Sequence, residues 1–100
     1  MYHKVYTKLA TEIGLEGAIL IDRFLMDAMG SDDGLFTEPI KELLQEFPYL
    51  SYRKIHRGIQ SLISGGYAKI NRRNHDGKFL YEVTDKGYKF FFDVIAPSTR

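Results

Sequence analysis

One hundred residues make one domain of ordinary size, read as residues 1–100 with a core over 13–95, and leave no room for two. With 44% hydrophobic and 27% charged residues the chain reads as globular, and the absence of cysteine excludes disulfides and cysteine-ligated zinc. The net charge of +1 hides an asymmetry: residues 1–50 carry four Lys/Arg (Lys4, Lys8, Arg23, Lys41) against nine Asp/Glu, and residues 51–100 carry ten against four, so the halves stand at −5 and +6. Within 51–78 there are seven basic residues and one acid, Asp76. One face is therefore expected to meet a polyanion and the other to avoid it; the plainer alternative is a solvated surface. Apolar runs such as Ala18 to Ile21 are too short to span a bilayer, and no signal-peptide pattern follows Met1, so a cytoplasmic protein without membrane contact is expected.

Gly14 and the Gly30–Gly34 cluster bracket a first long helix. Its polar stripe is Glu16, Arg23 and Asp27, and nearly everything else is apolar, which predicts burial on more than one side, the second against a partner copy. Asp22 falls on the apolar side and is expected to pair with a Tyr, Lys or backbone N–H. Gly34-Leu35-Phe36 reads as a very short strand. Thr37 or Glu38 caps the next helix, with Pro39 in its first turn and Ile40, Leu43, Leu44 and Phe47 as its inner face. Ser51 caps a third helix that Gly65-Gly66 ends. Tyr67–Ile70 and Phe79–Val83 read as a hairpin turned by Asn74–Gly77. Thr84 or Asp85 caps a last helix with Tyr88, Phe91, Phe92 and Ile95 on one side, Phe90 and Val94 on the other. This order gives an α+β, mostly α fold: a three-helix core, a β-hairpin wing and a C-terminal helix, the winged helix-turn-helix arrangement.

On the third helix Ile55, Ile59, Leu62 and Ile63 point one way and Arg53, Arg57, Gln60 and Ser64 the other, flanked by Lys54 and His56. Arg and Gln are the side chains that read guanine and adenine edges in the major groove. Ser51, Tyr52 and the helix start suit phosphates. Gly58 keeps the inner side thin. The hairpin adds Arg72, Arg73, His75 and Lys78, which suit backbone contacts, with His75 the weakest. Each set is equally an ordinary charged surface if no nucleic acid is met. His3, His56 and His75 have no metal-ligand spacing, and no catalytic motif or cofactor-binding loop appears. The acids of the first half read as a solvated face.

The run Thr37–Leu43 followed by Leu50–Ile70, and then Asp76-Gly77-Lys78 with Tyr81-Glu82-Val83-Thr84-Asp85-Lys86-Gly87, resembles the winged helix-turn-helix superfamily over about residues 35–92. Ala10–Leu20 is similar to the entry into the first helix of phage and plasmid replication modules. The resemblance implies base contacts from Arg53, His56, Arg57 and Gln60, and backbone contacts from Tyr52 and the wing. It departs at Gly58, where such proteins often carry Ala. The expected function is duplex DNA binding by a homodimer formed through the first and last helices, as a transcription regulator. The rivals are a replication-initiation module and a protein-binding adaptor. No effector is indicated.

Overall fold

The computed structural model describes residues 6–73 and 78–95, and of Arg72 and Arg73 the backbone alone. Its first element was not expected. Thr7–Ile13 forms helix α1, which buries Leu9 and stops at Gly14, whose φ of 99° an L-residue rarely adopts. Seven residues with no side-chain cap carry little helical signal of their own; packing against the next helix supplies the stability. The buried cluster accordingly takes in Tyr6 and Leu9, ahead of residue 13.

Leu15–Met29 forms α2, the central helix. Ala18, Ile19, Leu20, Ile21, Phe24, Leu25 and Ala28 are buried, and α1, α4 (Tyr52–Ser64) and strand β2 (Phe79–Val83) pack against it. Part of its second apolar side is taken by α1, which packs on α2. What stays exposed is Leu15, Met26 and Met29. Asp22 accepts a hydrogen bond from the Tyr6 hydroxyl (2.8 Å), which ties the start of α1 to α2. Burial, then the Asp22 contact, pushes the Tyr6 hydroxyl up.

Ile40–Glu46 forms α3. Its N-cap is Pro39, not Thr37 or Glu38; the Pro39 carbonyl accepts from the N–H groups of Glu42 and Leu43, both at 3.1 Å. Glu38 does not cap because its side chain is turned into the interior. Leu43 and Phe47 are fully buried, and a turn closed by Leu50 N–H on the Phe47 carbonyl leads into α4. As expected, Ser51 caps α4, accepting from Lys54 N–H at 3.2 Å, and Gly65 and Gly66 follow its end. Gly66 takes a φ of 84°. Gly58 faces α2 so closely that a Cβ there meets Leu20 Cδ1 at 2.6 Å and the Glu16 carbonyl at 3.0 Å.

Strand β1 runs Ala68–Arg73, starting one residue later than expected and running through Arg73. It pairs antiparallel with β2 from Ala68 opposite Val83 to Arg73 opposite Phe79, with a register shift between Ile70 and Arg72. The short strand expected at Gly34-Leu35-Phe36 is a single bridge from Phe36 to Tyr81. The expected turn Asn74–Gly77 lies outside the described residues. Thr84 caps α5 (Asp85–Phe90), accepting from Gly87 N–H at 3.2 Å. Phe91–Ile95 then continues as a π turn. The wider turn breaks the i, i+4 register expected for this segment. Phe90 packs inward on Tyr6 and Tyr67, ring centroids 5.3 and 6.0 Å away, while Phe92 is exposed; the two sides assigned from the sequence are exchanged at these residues. The architecture is α+β and mostly helical, and among the described residues no helix is long and apolar enough to cross a membrane.

Candidate nucleic-acid interface

Helix α4 divides its side chains sharply. Ile55, Ile59 and Leu62 are buried, while Arg53, Arg57, Gln60 and Ser64 are exposed along the opposite side. The division follows from 3.6-residue periodicity acting on a sequence whose apolar residues recur every three to four positions. Ser51, Tyr52, Lys54 and His56 are exposed too, and the Tyr52 and His56 rings lie 4.4 Å apart on adjacent turns. Among the described residues the side chains of Arg53 and Lys54 enter no ion pair. Arg57, 61% exposed, has an acid nearby: Glu16 of α2 lies 3.6 Å away. That partner was missed because it depends on where α2 crosses α4 at Gly58. An exposed pair at this distance contributes on the order of 0.5 kcal/mol, too little to keep Arg57 from another anion.

The hairpin stands beside α4. The backbones of Arg72 and Arg73 lie in β1, but their side chains, and His75 altogether, fall outside the described residues. Lys78 is exposed just before β2. Lys69 is committed elsewhere: it pairs across the strands with Glu82 at 3.4 Å, and Asn71 donates to the same Glu82 oxygen at 2.8 Å. The Asn71 hydrogen bond, then Lys69, holds the Glu82 carboxyl below its ordinary value. A cavity of about 250 Å³ opens between the start of α3, α4 and the hairpin, with Thr37, Glu38, Pro39, Ile40, His56 and Lys78 in its lining beside the rings of Phe79 and Tyr81.

The acids of the first half are a solvated face only in part: Glu12, Asp32, Asp33 and Glu42 are exposed, but Glu42 and several others gather around one arginine. Arg23, 19% exposed, is ringed by Asp27 at 2.9 Å, Glu42 at 3.7 Å, Glu38 at 3.8 Å and Glu46 in direct hydrogen bond. The Glu38 side chain is 0% exposed. If it is ionised, neither of its oxygens finds a donor. Burial, then hydrogen bonding to Asp27 and the charge of Asp27, pushes its carboxyl up to about 10, with Arg23 opposing and Glu46 adding to the rise. Protonated, Glu38 donates to Asp27, which removes both the missing donor and one buried charge. The spacing of Arg23 and Asp27 was legible as a helix stripe. The inward turn of Glu38 had no sequence signal, because a Glu before a Pro reads as a cap.

A second cavity, of about 620 Å³, lies between α1 and the C-terminal segment, with Tyr6, Leu9, Glu12, Tyr67, Phe90 and Val94 among its walls. Tyr67 donates to Glu12 at 2.9 Å, and Lys86 lies 3.3 Å from the same carboxylate. Among the described residues no group of three or more His, Asp or Glu is placed to hold a metal ion. Comparison with protein-family models, curated proteins and solved structures finds no match to this chain.

Proposed function

We propose that the protein binds duplex DNA, with α4 in the major groove and the β1–β2 hairpin against the backbone. In this reading α3, its turn and α4 are a helix-turn-helix, the hairpin is its wing, and the protein is a cytoplasmic transcription regulator without an enzymatic role. The observation that carries the reading is the exposed side of α4. Arg53, Arg57 and Gln60 project together from a helix whose other side is locked in the core, with no competing acid on α4 itself. A rigid helix carrying paired-donor side chains in one stripe is what base-edge recognition requires. Ser51, Tyr52, Lys54, His56, Lys78, Arg72 and Arg73 surround it as phosphate and flanking contacts.

Homodimerisation belongs to the same proposal. Leu25, Met26, Met29, Phe91 and Ile95 wall a shallow groove of about 210 Å³ between α2 and the π turn. Met26, 69% exposed, and Phe92 project on the same elements. A two-fold contact would seat this patch on the same patch of a second copy. A second copy seated there presents two α4 helices to one duplex.

Anisotropy titrations of a labelled duplex pool over a range of salt test the DNA reading. Wild type is expected to bind with affinity falling steeply as salt rises. Replacing both arginines, R53A/R57A, is expected to weaken binding at least about tenfold and to relax base preference. Wild-type binding that is absent or indifferent to salt sinks the proposal.

A further inference from the structure

We infer that the cavity between α3, α4 and the hairpin takes a single unpaired nucleobase from the DNA held on the basic face. This deepens the duplex-binding reading and rests on it. Phe79 and Tyr81 are separated by two on β2 and so share one face of the strand, their ring centroids 6.4 Å apart. Tyr81 is a fixed wall. Its backbone exchanges hydrogen bonds with Phe36 at 2.8 and 3.1 Å, and its ring packs on Phe24 and Phe36, at 5.7 and 6.1 Å. Phe79 is 39% exposed, at the end of the strand pair where β2 begins. His56 closes the opposite wall from α4, one residue from Arg57. Pro39 and Ile40 complete an apolar floor.

Size and chemistry select the occupant. At about 250 Å³ the cavity falls below the roughly 300–1,000 Å³ of sites for whole small molecules. A ring-walled slot favours a flat heteroaromatic group, because every base offers a π-face to stack. A phosphate can meet the exposed Lys78, but the apolar surface of Pro39, Ile40, Phe79 and Tyr81 offers it nothing in exchange for its water. The slot adjoins α4 through His56, so a strand gripped by Arg53 or Lys54 passes its mouth. A base already unpaired enters without the cost of opening a pair. Glu38 also lines the cavity, but both of its carboxyl oxygens are buried from solvent.

The test compares one duplex in three forms: fully paired, with a single bulged 2-aminopurine, and with an abasic bulge. The bulged-base form is expected to bind about tenfold tighter than the paired form, with 2-aminopurine emission falling as the base stacks. Phe79→Leu keeps the apolar bulk and removes the ring. It is expected to abolish that preference and leave paired-duplex affinity within about twofold. His56→Ala gives a second variant from the other wall and is expected to reduce the quenching. Equal binding of the paired and bulged forms overturns the base slot and leaves duplex binding standing. An abasic bulge bound as tightly as the base, or a preference that survives Phe79→Leu, also overturns it, because bendability then explains the effect. Failure to bind any of the three overturns the DNA reading itself.

Discussion

Arg23 and Arg53 are the same residue type in opposite circumstances. Arg23 lies between α2 and α3 with four carboxyl groups within 4.0 Å, one of them fully buried. Arg53 stands on the open side of α4, and among the described residues it pairs with none. The acidic first half of the chain spends much of its charge on itself, joining α2 to α3. The basic second half leaves its charge facing outward. A net charge near zero therefore conceals an internal electrostatic joint and an external cationic surface, and the second is available to a polyanion.

The largest effect that separates the two regions is expected for Arg23→Ala. Removing the cation of this cluster leaves the part-buried Asp27 and Glu46 carboxylates uncompensated beside neutral Glu38, at a cost of about 3 kcal/mol. Urea denaturation of this variant beside Arg53→Ala checks the contrast, since Arg53→Ala is expected to change stability by less than about 0.5 kcal/mol. Equal losses break the comparison. Gly58→Ala probes the contact that seats α4 on α2. Helix propensity favours Ala by about 1 kcal/mol, but the new methyl meets Leu20 and the Glu16 backbone, so a net loss of about 2 kcal/mol is expected. Unchanged or raised stability shows that the crossing is looser than described.

Glu38→Gln sharpens the electrostatic side. The unfolded chain ionises Glu38 near 4.5, whereas the folded protein keeps the proton up to about 10. Between those values the folded state holds an extra proton, so the Glu38 contribution falls as pH rises. Gln stays neutral and still offers Asp27 a donor. The variant is expected to gain on wild type across this window, by at most about 1.4 kcal/mol per pH unit. Thermal melts as a function of pH check this; parallel curves contradict a neutral Glu38. At the cap of α4, Ser51→Ala is expected to cost about 1 kcal/mol, read in the same melts.

The sequence made the α3–α4 pair, the caps of α4 at Ser51 and of α5 at Thr84, and the second hairpin strand legible, because each rests on local chemistry. Turn glycines, hydroxyl caps and apolar periodicity act within a few residues. It did not show α1, whose seven residues are held by packing on α2 and by the Tyr67 and Lys86 contacts to Glu12. Nor did it show the π turn after Phe90, since a locally widened turn leaves no mark on composition. The stripe Arg53, Arg57 and Gln60 was readable because it is the complement of a buried side. The Glu16 contact to Arg57 and the slot walled by His56, Phe79 and Tyr81 were not, because each joins segments far apart in the chain.

Amide chemical-shift mapping with a saturating duplex tests the central claim most directly. Perturbations are expected to concentrate on residues 51–64 and along the hairpin, strongest near Arg53, Arg57 and Gln60, and to leave the amides around Arg23 and Glu42 nearly still. Shifts centred on Met26 and Phe92, or none at all, contradict the account.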